Sequence, residues 1–249
     1  MKRFAIIGHP VAGCMSPVLF TAAYGGRYPY DLIDEASFDK AWARFLADYH
    51  GINVTAPFKQ DAFAQVDRCS ETALRSGAVN LVVKTPEGLY GHNTDVIGVL
   101  ESLKAEVVPG TRVLVAGAGG AARAAVVAAQ MLGGSVTVAG RTPARVQALA
   151  EETGCRGIGL EEAGQMTPEV LVYTLPGSAP VPDGLPFAGA VVLEAEYRKP
   201  QLEGIPCRRY LSGKNWLVHQ ALSGYALFTG EQPDETKIWN CIGPRPEPF

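Results

Sequence analysis

A lysine, an aspartate and the asparagines and threonines near them carry the chemistry that the first half of the chain offers. Lys59 ends the segment Asn53-Val54-Thr55-Ala56-Pro57-Phe58-Lys59, and Gly77-Ala-Val-Asn80 and Gly91-His-Asn-Thr-Asp95 each place a polar side chain beyond an apolar stretch. A lysine ammonium oriented by an aspartate can exchange a proton with a substrate hydroxyl. Amides and hydroxyls supply directional hydrogen bonds to a polyhydroxylated ligand. A lone lysine is usually a solvated surface residue, so the prediction of a Lys59–Asp95 pair depends on this grouping.

A glycine cluster in the middle of the chain indicates a second kind of site. The segment Val113-Leu-Val-Ala-Gly117-Ala118-Gly119-Gly120-Ala121-Ala122-Arg123 is typical of a strand that turns sharply into a helix. Glycines there let the backbone approach a pyrophosphate, and the helix N-terminus offers unpaired N–H groups. Because a long stretch precedes Val113, we expect another domain before the nucleotide site.

Two arginines after the next predicted strand favour NADP over NAD. An NAD site places a carboxylate there for the ribose hydroxyl, whereas this chain has Gly140-Arg141-Thr142-Pro143-Ala144-Arg145. Arg141 and Arg145 can neutralise a 2′-phosphate through charge-assisted hydrogen bonds. The alternative is that these arginines only solvate the start of a helix.

Alternating apolar runs and helical segments must position these residues. In the first 95 residues this alternation predicts a mostly parallel α/β sheet, whose strand ends converge on one edge where ligands sit. The predicted strands are Phe4–Ile7, Tyr30–Ile33, Gly51–Val54 and Ala78–Val83. The predicted helices are Pro17–Tyr24, Ser37–Tyr49, Gln60–Val66 and Asp95–Leu103.

The second half predicts a Rossmann-type, doubly wound dinucleotide-binding domain. Its predicted strands are Val113–Ala116, Val136–Ala139, Val170–Thr174 and Ala190–Leu193, and its helices Gly119–Leu132 and Pro143–Glu152. A loop is expected over Pro176–Pro186, and a final helix over Lys214–Phe228. Three prolines predict an irregular tail over Pro244–Phe249.

Composition excludes several classes of partner. The 249 residues carry a formal net charge of -3, which gives no basic patch for nucleic acid. No apolar run approaches the roughly 18 residues of a membrane span. The five cysteines lack CxxC spacing and the four histidines are scattered, which predicts reduced thiols in a cytoplasmic protein and no metal site. A monomer and a homodimer are both compatible with the sequence.

Several motifs at consistent spacing resemble the shikimate dehydrogenase family (shikimate 5-dehydrogenase and quinate-shikimate dehydrogenase), with the similarity running from about Phe4 to Gly230. The matching segments are Gly8–Pro17, Gly51–Lys59, Gly77–Asn80, Asn93–Gly98, Gly117–Ala124, Arg141–Arg145, Tyr197 and Gly213–Gln220. The resemblance implies two domains, with the C-terminal helix returning to the first. They are a substrate-binding and catalytic domain, 1–97 plus 220–249, and an NADP-binding Rossmann domain, 98–219.

By that resemblance the reaction is the reversible reduction of 3-dehydroshikimate to shikimate with NADPH, without a metal. The implied catalytic residues are Lys59 and Asp95. The implied substrate-binding residues are Cys14, Ser16, Thr55, Asn80, Tyr197 and Gln220. The implied cofactor-binding residues are Gly117, Ala118, Gly119, Gly120, Ala121, Arg141, Thr142, Arg145 and Gly213.

Some positions depart from the family pattern. Gly13-Cys14 stands where the family usually has His-Ser, so one hydroxyl that binds the substrate carboxylate becomes a thiol, which is a weak donor. Phe20-Thr21, Leu81 and Gly140 replace the usual His-Asn, threonine and asparagine. Two alternatives therefore stay open. One is a paralogue that oxidises quinate or a related cyclohexane carboxylate with NAD or NADP. The other is a non-catalytic dinucleotide or metabolite sensor, against which the retained Lys59 and Asp95 argue.

Overall fold

Short apolar strands and their connecting helices build two α/β units. The computed structural model describes residues 1–243, so the predicted irregular tail lies outside the described residues. One unit comprises Met1–Thr94 with the described chain from Gln220 on, and the other comprises Asp95–His219. The assignment of substrate binding to 1–97 plus 220–249, and of NADP binding to 98–219, stays a prediction.

The first unit contains ten strands and helices before the boundary at Thr94. The strands are β1 (Phe4–Gly8), β2 (Tyr30–Asp34), β3 (Gly51–Val54), β4 (Arg68–Cys69), β5 (Leu81–Thr85) and β6 (Gly88–His92). The helices are α1 (Ser16–Tyr24), α2 (Phe38–Asp48), α3 (Lys59–Gln65) and α4 (Glu71–Ser76). Helix α5 (Thr94–Leu103) begins with the last residue of this segment.

The second unit contains the remaining strands. They are β7 (Arg112–Ala116), β8 (Ser135–Gly140), β9 (Arg156–Gly159), β10 (Val170–Tyr173), β11 (Val191–Glu194) and β12 (Arg209–Leu211). Its helices are α6 (Gly120–Met131), α7 (Pro143–Thr153) and α8 (Leu160–Ala163). Helix α9 (Gly213–Thr229) begins in this unit and ends in the first, to which α10 (Glu235–Ile242) belongs.

The sheet of the first unit has the strand order β2-β1-β3-β5-β6-β4. Strands β2, β1 and β3 pair in parallel, whereas β5 pairs antiparallel with both β3 and β6. The strand predicted over 78–83 begins only at Leu81, and a two-residue turn joins it to β6, which the sequence analysis missed. Two glycines in the segment Gly88–His92 obscure the β6 pattern.

The sheet of the second unit is parallel throughout, in the order β12-β11-β10-β7-β8-β9. This is the 3-2-1-4-5-6 order of the doubly wound dinucleotide-binding fold, whose direction of winding reverses beside β7. The sequence analysis missed β9 and β12, because both are short edge strands with polar residues. The predicted fold class, α/β with two mostly parallel sheets, is confirmed.

The chain returns to the first unit along α9. Tyr225, in the second half of that helix, donates a hydrogen bond of 3.0 Å from its hydroxyl to the carbonyl oxygen of Ser16. The backbone N–H of Asp234 donates to the carbonyl of Ala23, which brings α10 against α1. The predicted return of the C-terminal helix is therefore confirmed. Within residues 1–243, no helix combines the length and the apolar character that crossing a bilayer requires.

Candidate active site

Asn80 lies at the carboxyl edge of the first sheet for a reason that the sequence analysis had wrong. Asn80 was expected inside a strand over 78–83 of a mostly parallel sheet, but it stands immediately before β5, which runs antiparallel. Because β5 is reversed, its amino end lies beside the carboxyl ends of its neighbours. Backbone bonds fix this position, since the Asn80 carbonyl accepts the N–H of Val54 at 2.8 Å and the Asn80 N–H donates to the His92 carbonyl at 2.9 Å.

The Asn80 side chain is hydrogen-bonded to α5 directly and to α9 through Thr94. Its Nδ2 donates to Thr94 Oγ1 at 3.0 Å, and the Thr94 backbone N–H donates to Asn80 Oδ1 at 2.7 Å. The Thr94 hydroxyl donates in turn to Gln220 Oε1 at 3.4 Å. One turn after Gln220, a Cβ on Gly224 would lie 2.8 Å from a methyl of Leu81, so any other residue there would displace the Leu81 side chain.

Cys14, Ser16 and Asn53 continue the row of polar groups on the other side of Asn80. The Cys14 thiol donates to Ser16 Oγ at 3.2 Å, at the start of α1. Asn53 Nδ2 donates to the Asn80 carbonyl at 3.3 Å, and Asn53 Oδ1 accepts the Tyr30 hydroxyl at 2.7 Å. Neither Asn53 nor Tyr30 was among the predicted site residues. A buried amide in the apolar run Gly51–Val54 was a signal for Asn53, whereas a strand tyrosine such as Tyr30 gives none.

Lys59 and Thr55 flank this row on the segment after β3. Lys59 is the first residue of α3 and half-buried, and its carbonyl accepts the backbone N–H of Val79 at 2.9 Å. The N–H of Thr55 donates to the carbonyl of Ile7 at 2.9 Å, which keeps the two strand ends together. Asp95 is half-buried, follows Thr94 directly in α5 and is the first residue of the second unit. The pairing of Lys59 with Asp95 stays a prediction.

The glycine loop between β7 and α6 contains two glycines with different physical explanations. Gly117 has a φ of 127°, and a side chain there would overlap the Thr174 hydroxyl, which donates to the Ala116 carbonyl at 2.9 Å. Gly119 has a φ of −99°, and a Cβ there would meet no atom of the described residues within 4 Å. Nothing in the fold itself requires glycine at 119. A closely approaching ligand would explain it.

The N-terminus of α6 has the features of an anion-binding site. Its first turn holds no acidic residue, and no side chain caps it. Ala118 and Ala121 are half-buried, and Gly119 and Gly120 are exposed. Free N–H groups and the positive end of the helix dipole therefore meet solvent at this point.

The predicted phosphate-binding arginines are exposed at the start of α7. Arg141, Thr142 and Arg145 all lie on the surface, with Thr142 at the N-cap position and no acidic residue in the first turn. At the preceding position, a Cβ on Gly140 would lie 2.8 Å from a methyl of Val146, so an asparagine there would require Val146 to move.

Tyr197 and Gly213 lie at the carboxyl end of β11 in the second unit. The buried Glu194 carboxylate accepts the backbone N–H groups of Gln201 at 2.7 Å and Leu202 at 3.1 Å, which closes the loop that carries the half-buried Tyr197. Gly213 is buried against the same strand end, where a Cβ would lie 2.6 Å from the Glu194 carbonyl oxygen. The Glu194 carboxylate therefore holds the loop that carries Tyr197 to the carboxyl end of β11.

Comparison with known proteins identifies the family. Residues 6–82 match the model of the shikimate dehydrogenase substrate binding domain. The curated shikimate dehydrogenase (NADP(+)) of one Thermus thermophilus strain is 37% identical, over 94% of this chain and 95% of that protein. The chain belongs to the shikimate dehydrogenase family.

Solved structures of shikimate dehydrogenase family members share the whole fold. Shikimate 5-dehydrogenase from a second Thermus thermophilus strain, in complex with NADP(H) and shikimate, aligns with a TM-score of 0.81 at 33% identity, covering 97% of this chain and 98% of that one. Quinate dehydrogenase from Corynebacterium glutamicum, in complex with NAD, aligns with a TM-score of 0.83 at 25% identity, covering 96% and 97%. The predicted family membership is confirmed.

The predicted residues thus fall into separate groups. In the first unit, hydrogen bonds join Cys14 to Ser16 directly and Asn80 to Gln220 through Thr94. The glycine loop and the arginines belong to the second unit. Across residues 1–243, no cluster of three or more histidine, cysteine, aspartate and glutamate side chains could hold a metal ion.

Proposed function

We propose that this chain is an NADP-dependent shikimate dehydrogenase that reversibly reduces 3-dehydroshikimate to shikimate. The observation that carries the proposal is the hydrogen-bonded row Asn80–Thr94–Gln220, on the sheet edge where Lys59 begins its helix. Such a row suits a ligand with several hydroxyl groups, because each amide offers both a donor and an acceptor. The name of the Thermus thermophilus relative supplies the substrate and the cofactor.

Lys59 and Asp95 are the proposed proton-transfer pair. The Lys59 ammonium polarises the carbonyl of the substrate and gives its proton to the oxygen as the hydroxyl forms. The Asp95 carboxylate orients the ammonium. Local structure supports the proposal, because Lys59 and Thr94, the neighbour of Asp95, are each hydrogen-bonded to the Val79–Asn80 segment.

The remaining polar residues of the first unit are the proposed substrate contacts. Cys14, Ser16 and Thr55 bind the carboxylate or the neighbouring hydroxyls. Asn80 and Gln220 hold the ring hydroxyls, and Tyr197 of the second unit is a further substrate contact. With a thiol at position 14, Ser16 is the stronger donor of the two at the start of α1.

NADP is the proposed cofactor of the second unit, and when bound it exchanges hydride with the substrate. The residues fit it, because Gly119 leaves open space before an uncapped helix N-terminus. Gly117, Ala118, Gly120 and Ala121 form the rest of that pyrophosphate-binding turn. Arg141, Thr142 and Arg145 bind the 2′-phosphate, and Gly213 lies on the nicotinamide side. Exposed guanidinium groups form bidentate bonds with phosphate oxygens.

Absorbance at the nicotinamide band tests the proposal directly. The purified protein is assayed with shikimate or quinate and with NADP or NAD, and we expect the largest kcat/KM for shikimate with NADP. A larger kcat/KM for quinate would assign the chain to the second candidate. Cys14 and the likeness to the quinate dehydrogenase of Corynebacterium glutamicum favour that candidate. Binding of NADP without turnover of either acid would indicate a sensor.

A further inference from the structure

The loop that follows β1 starts between two neighbouring strands of the first sheet. We call residues 8–16 the substrate loop, because they include Cys14 and Ser16, two of the proposed substrate contacts. On the β3 side, the backbone N–H of His9 donates to the Ala56 carbonyl at 3.1 Å. On the other side, Gly8 pairs with Asp34, the last residue of β2. The first residues of the loop are therefore held between the ends of β2 and β3.

The Asp34 carboxylate bridges two residues of the substrate loop. Its Oδ1 accepts a hydrogen bond from His9 Nδ1 at 2.7 Å, and its Oδ2 accepts the backbone N–H of Val11 at 3.3 Å. A carboxylate has no proton to donate, so the imidazole carries its proton on Nδ1. Because His9 and Val11 are two residues apart, the bridge fixes the path of the backbone between them.

Val11 connects this bridge to the proposed substrate contacts. The Val11 carbonyl accepts the backbone N–H of Cys14 at 3.1 Å, which closes a tight turn. Within that turn Gly13 has a φ of 77°, in the left-handed region that favours glycine. The Cys14 thiol then donates to Ser16 Oγ at 3.2 Å. A continuous path of hydrogen bonds therefore runs from Asp34 through Val11 and Cys14 to Ser16.

We propose that Asp34 is a positioning residue for the substrate: its carboxylate holds the substrate loop through His9 and Val11, and so sets the positions of Cys14 and Ser16. This inference rests on the proposed function. Asp34 acts through geometry and not through its charge, because a negative charge near the loop opposes the approach of an acidic substrate. Loss of the charge and loss of the bridge should therefore change KM in opposite directions.

Two substitutions of Asp34 separate the bridge from the charge. Asp34→Ala removes both, and it should raise KM for shikimate about three- to tenfold, the value of one hydrogen bond, with kcat and KM for NADP within about twofold. Asp34→Asn removes only the charge. Its amide oxygen still accepts from Val11, and its NH2 group donates to His9 Nδ1 once the imidazole proton moves to Nε2. Asp34→Asn should therefore restore KM for shikimate to the wild-type value or below it.

Asp31→Ala is the matched control, because Asp31 also lies on β2 and its carboxylate is about as exposed as that of Asp34. Asp31 accepts from Arg3 and Tyr49 and not from the substrate loop, so KM for shikimate should not change. His9→Ala removes one of the two bonds and should raise KM less than Asp34→Ala does. An unchanged KM in Asp34→Ala would overturn the inference, as would equal rises in Asp34→Ala and Asp34→Asn or in Asp34→Ala and Asp31→Ala.

Alkylation of Cys14 by iodoacetamide measures the order of the substrate loop without any substrate. The thiol is half-buried and bonded to Ser16, so release of the loop in Asp34→Ala should raise its alkylation rate about threefold or more. Asp34→Asn should keep the wild-type rate. Cys69 is the internal control, because it is half-buried on β4 at the opposite edge of the sheet. Mass spectrometry of the two peptides gives both rates.

The alkylation rates separate this inference from the proposed function. If the wild-type protein turns over no shikimate but Asp34→Ala still speeds the alkylation of Cys14, the proposed function fails and the positioning of the loop by Asp34 stands. If the Cys14 rate in Asp34→Ala equals that of the wild-type protein, the inference fails whether or not shikimate is turned over.

Discussion

Asn80 and Thr94 exchange two hydrogen bonds, one through the Asn80 amide to Thr94 Oγ1 at 3.0 Å and one from the Thr94 N–H to Asn80 Oδ1 at 2.7 Å. Both residues are buried, at 4% and 2% exposure. The pair therefore fixes the first turn of α5, which also carries Asp95, to the start of β5.

Asn80→Ala should lower both stability and affinity for the substrate. It leaves the Thr94 N–H buried without an acceptor, which costs about 1–3 kcal/mol in free energy of unfolding. Loss of the amide should also raise KM for shikimate at least about tenfold. Denaturant unfolding and steady-state kinetics measure the two effects.

Asn93→Ala is the matched control for that variant. Asn93 is as buried as Asn80, and its Nδ2 donates to Ser76 Oγ at 2.8 Å rather than to the Asn80–Gln220 row. We expect a comparable loss of stability with KM for shikimate unchanged. If KM rises equally in both variants, Asn80 acts only through the fold.

Lys59→Ala should reduce kcat at least about a hundredfold, the lower end of the range for general acid–base groups, while the Kd for NADP stays near its wild-type value. Lys84→Ala is the control, since this exposed lysine donates to the Leu46 carbonyl and lies over the Phe45 ring. Single-turnover kinetics and fluorescence titration of NADP check the two quantities. Near-normal turnover in Lys59→Ala removes the residue from the proposed chemistry.

Arg141→Ala and Arg145→Ala should each raise KM for NADP about tenfold or more, because a charge-assisted bond to the 2′-phosphate is lost. NAD lacks that phosphate, so KM for NAD should change by less than twofold. Arg156→Ala, which removes an exposed arginine paired with Glu162, is the control. Equal increases in KM for NADP and in KM for NAD would support the alternative that these arginines only solvate the start of α7.

His92 should make the protein sensitive to acid. Burial lowers the pKa of its imidazole below the ordinary 6.5, and its Nε2 has no hydrogen-bond partner among residues 1–243. Between the folded pKa and 6.5 the unfolded chain therefore binds a proton that the folded chain does not, so stability falls as the pH drops below about 6.5. His92→Phe should reduce the loss of Tm between pH 7.5 and pH 5.5.

The control for His92 is His50→Phe, because His50 is exposed beside the N–H of Arg3. Its pH profile of Tm should follow that of the wild-type protein. A His92→Phe profile that also matches the wild type would assign the acid sensitivity to other groups.

The local pattern of apolar and polar residues was sufficient to predict most of the longer strands and helices. The apolar run Gly51–Val54 was predicted with its observed bounds, and the glycine turn before α6 was placed within one residue. The sequence analysis did not predict β4, β6, β9, β12, α4, α8 and α10, which are short or interrupted by polar and glycine residues. Such elements form because neighbouring strands and helices supply partners for them. They are too short for a hydrophobic periodicity that would predict them from the sequence.

The sequence by itself determined which residue types were available: a lysine after a buried strand, glycines at a strand-to-helix turn and arginines after the next strand. These depend on neighbours within a few residues. The tertiary structure alone decided that β5 is reversed, so that Asn80 meets Thr94, which in turn meets Gln220. It also decided that Tyr30 reaches Asn53 across β1. The physical reason is that sheet order and helix packing determine which residues far apart in the chain become hydrogen-bond partners. No short stretch of residues contains that information.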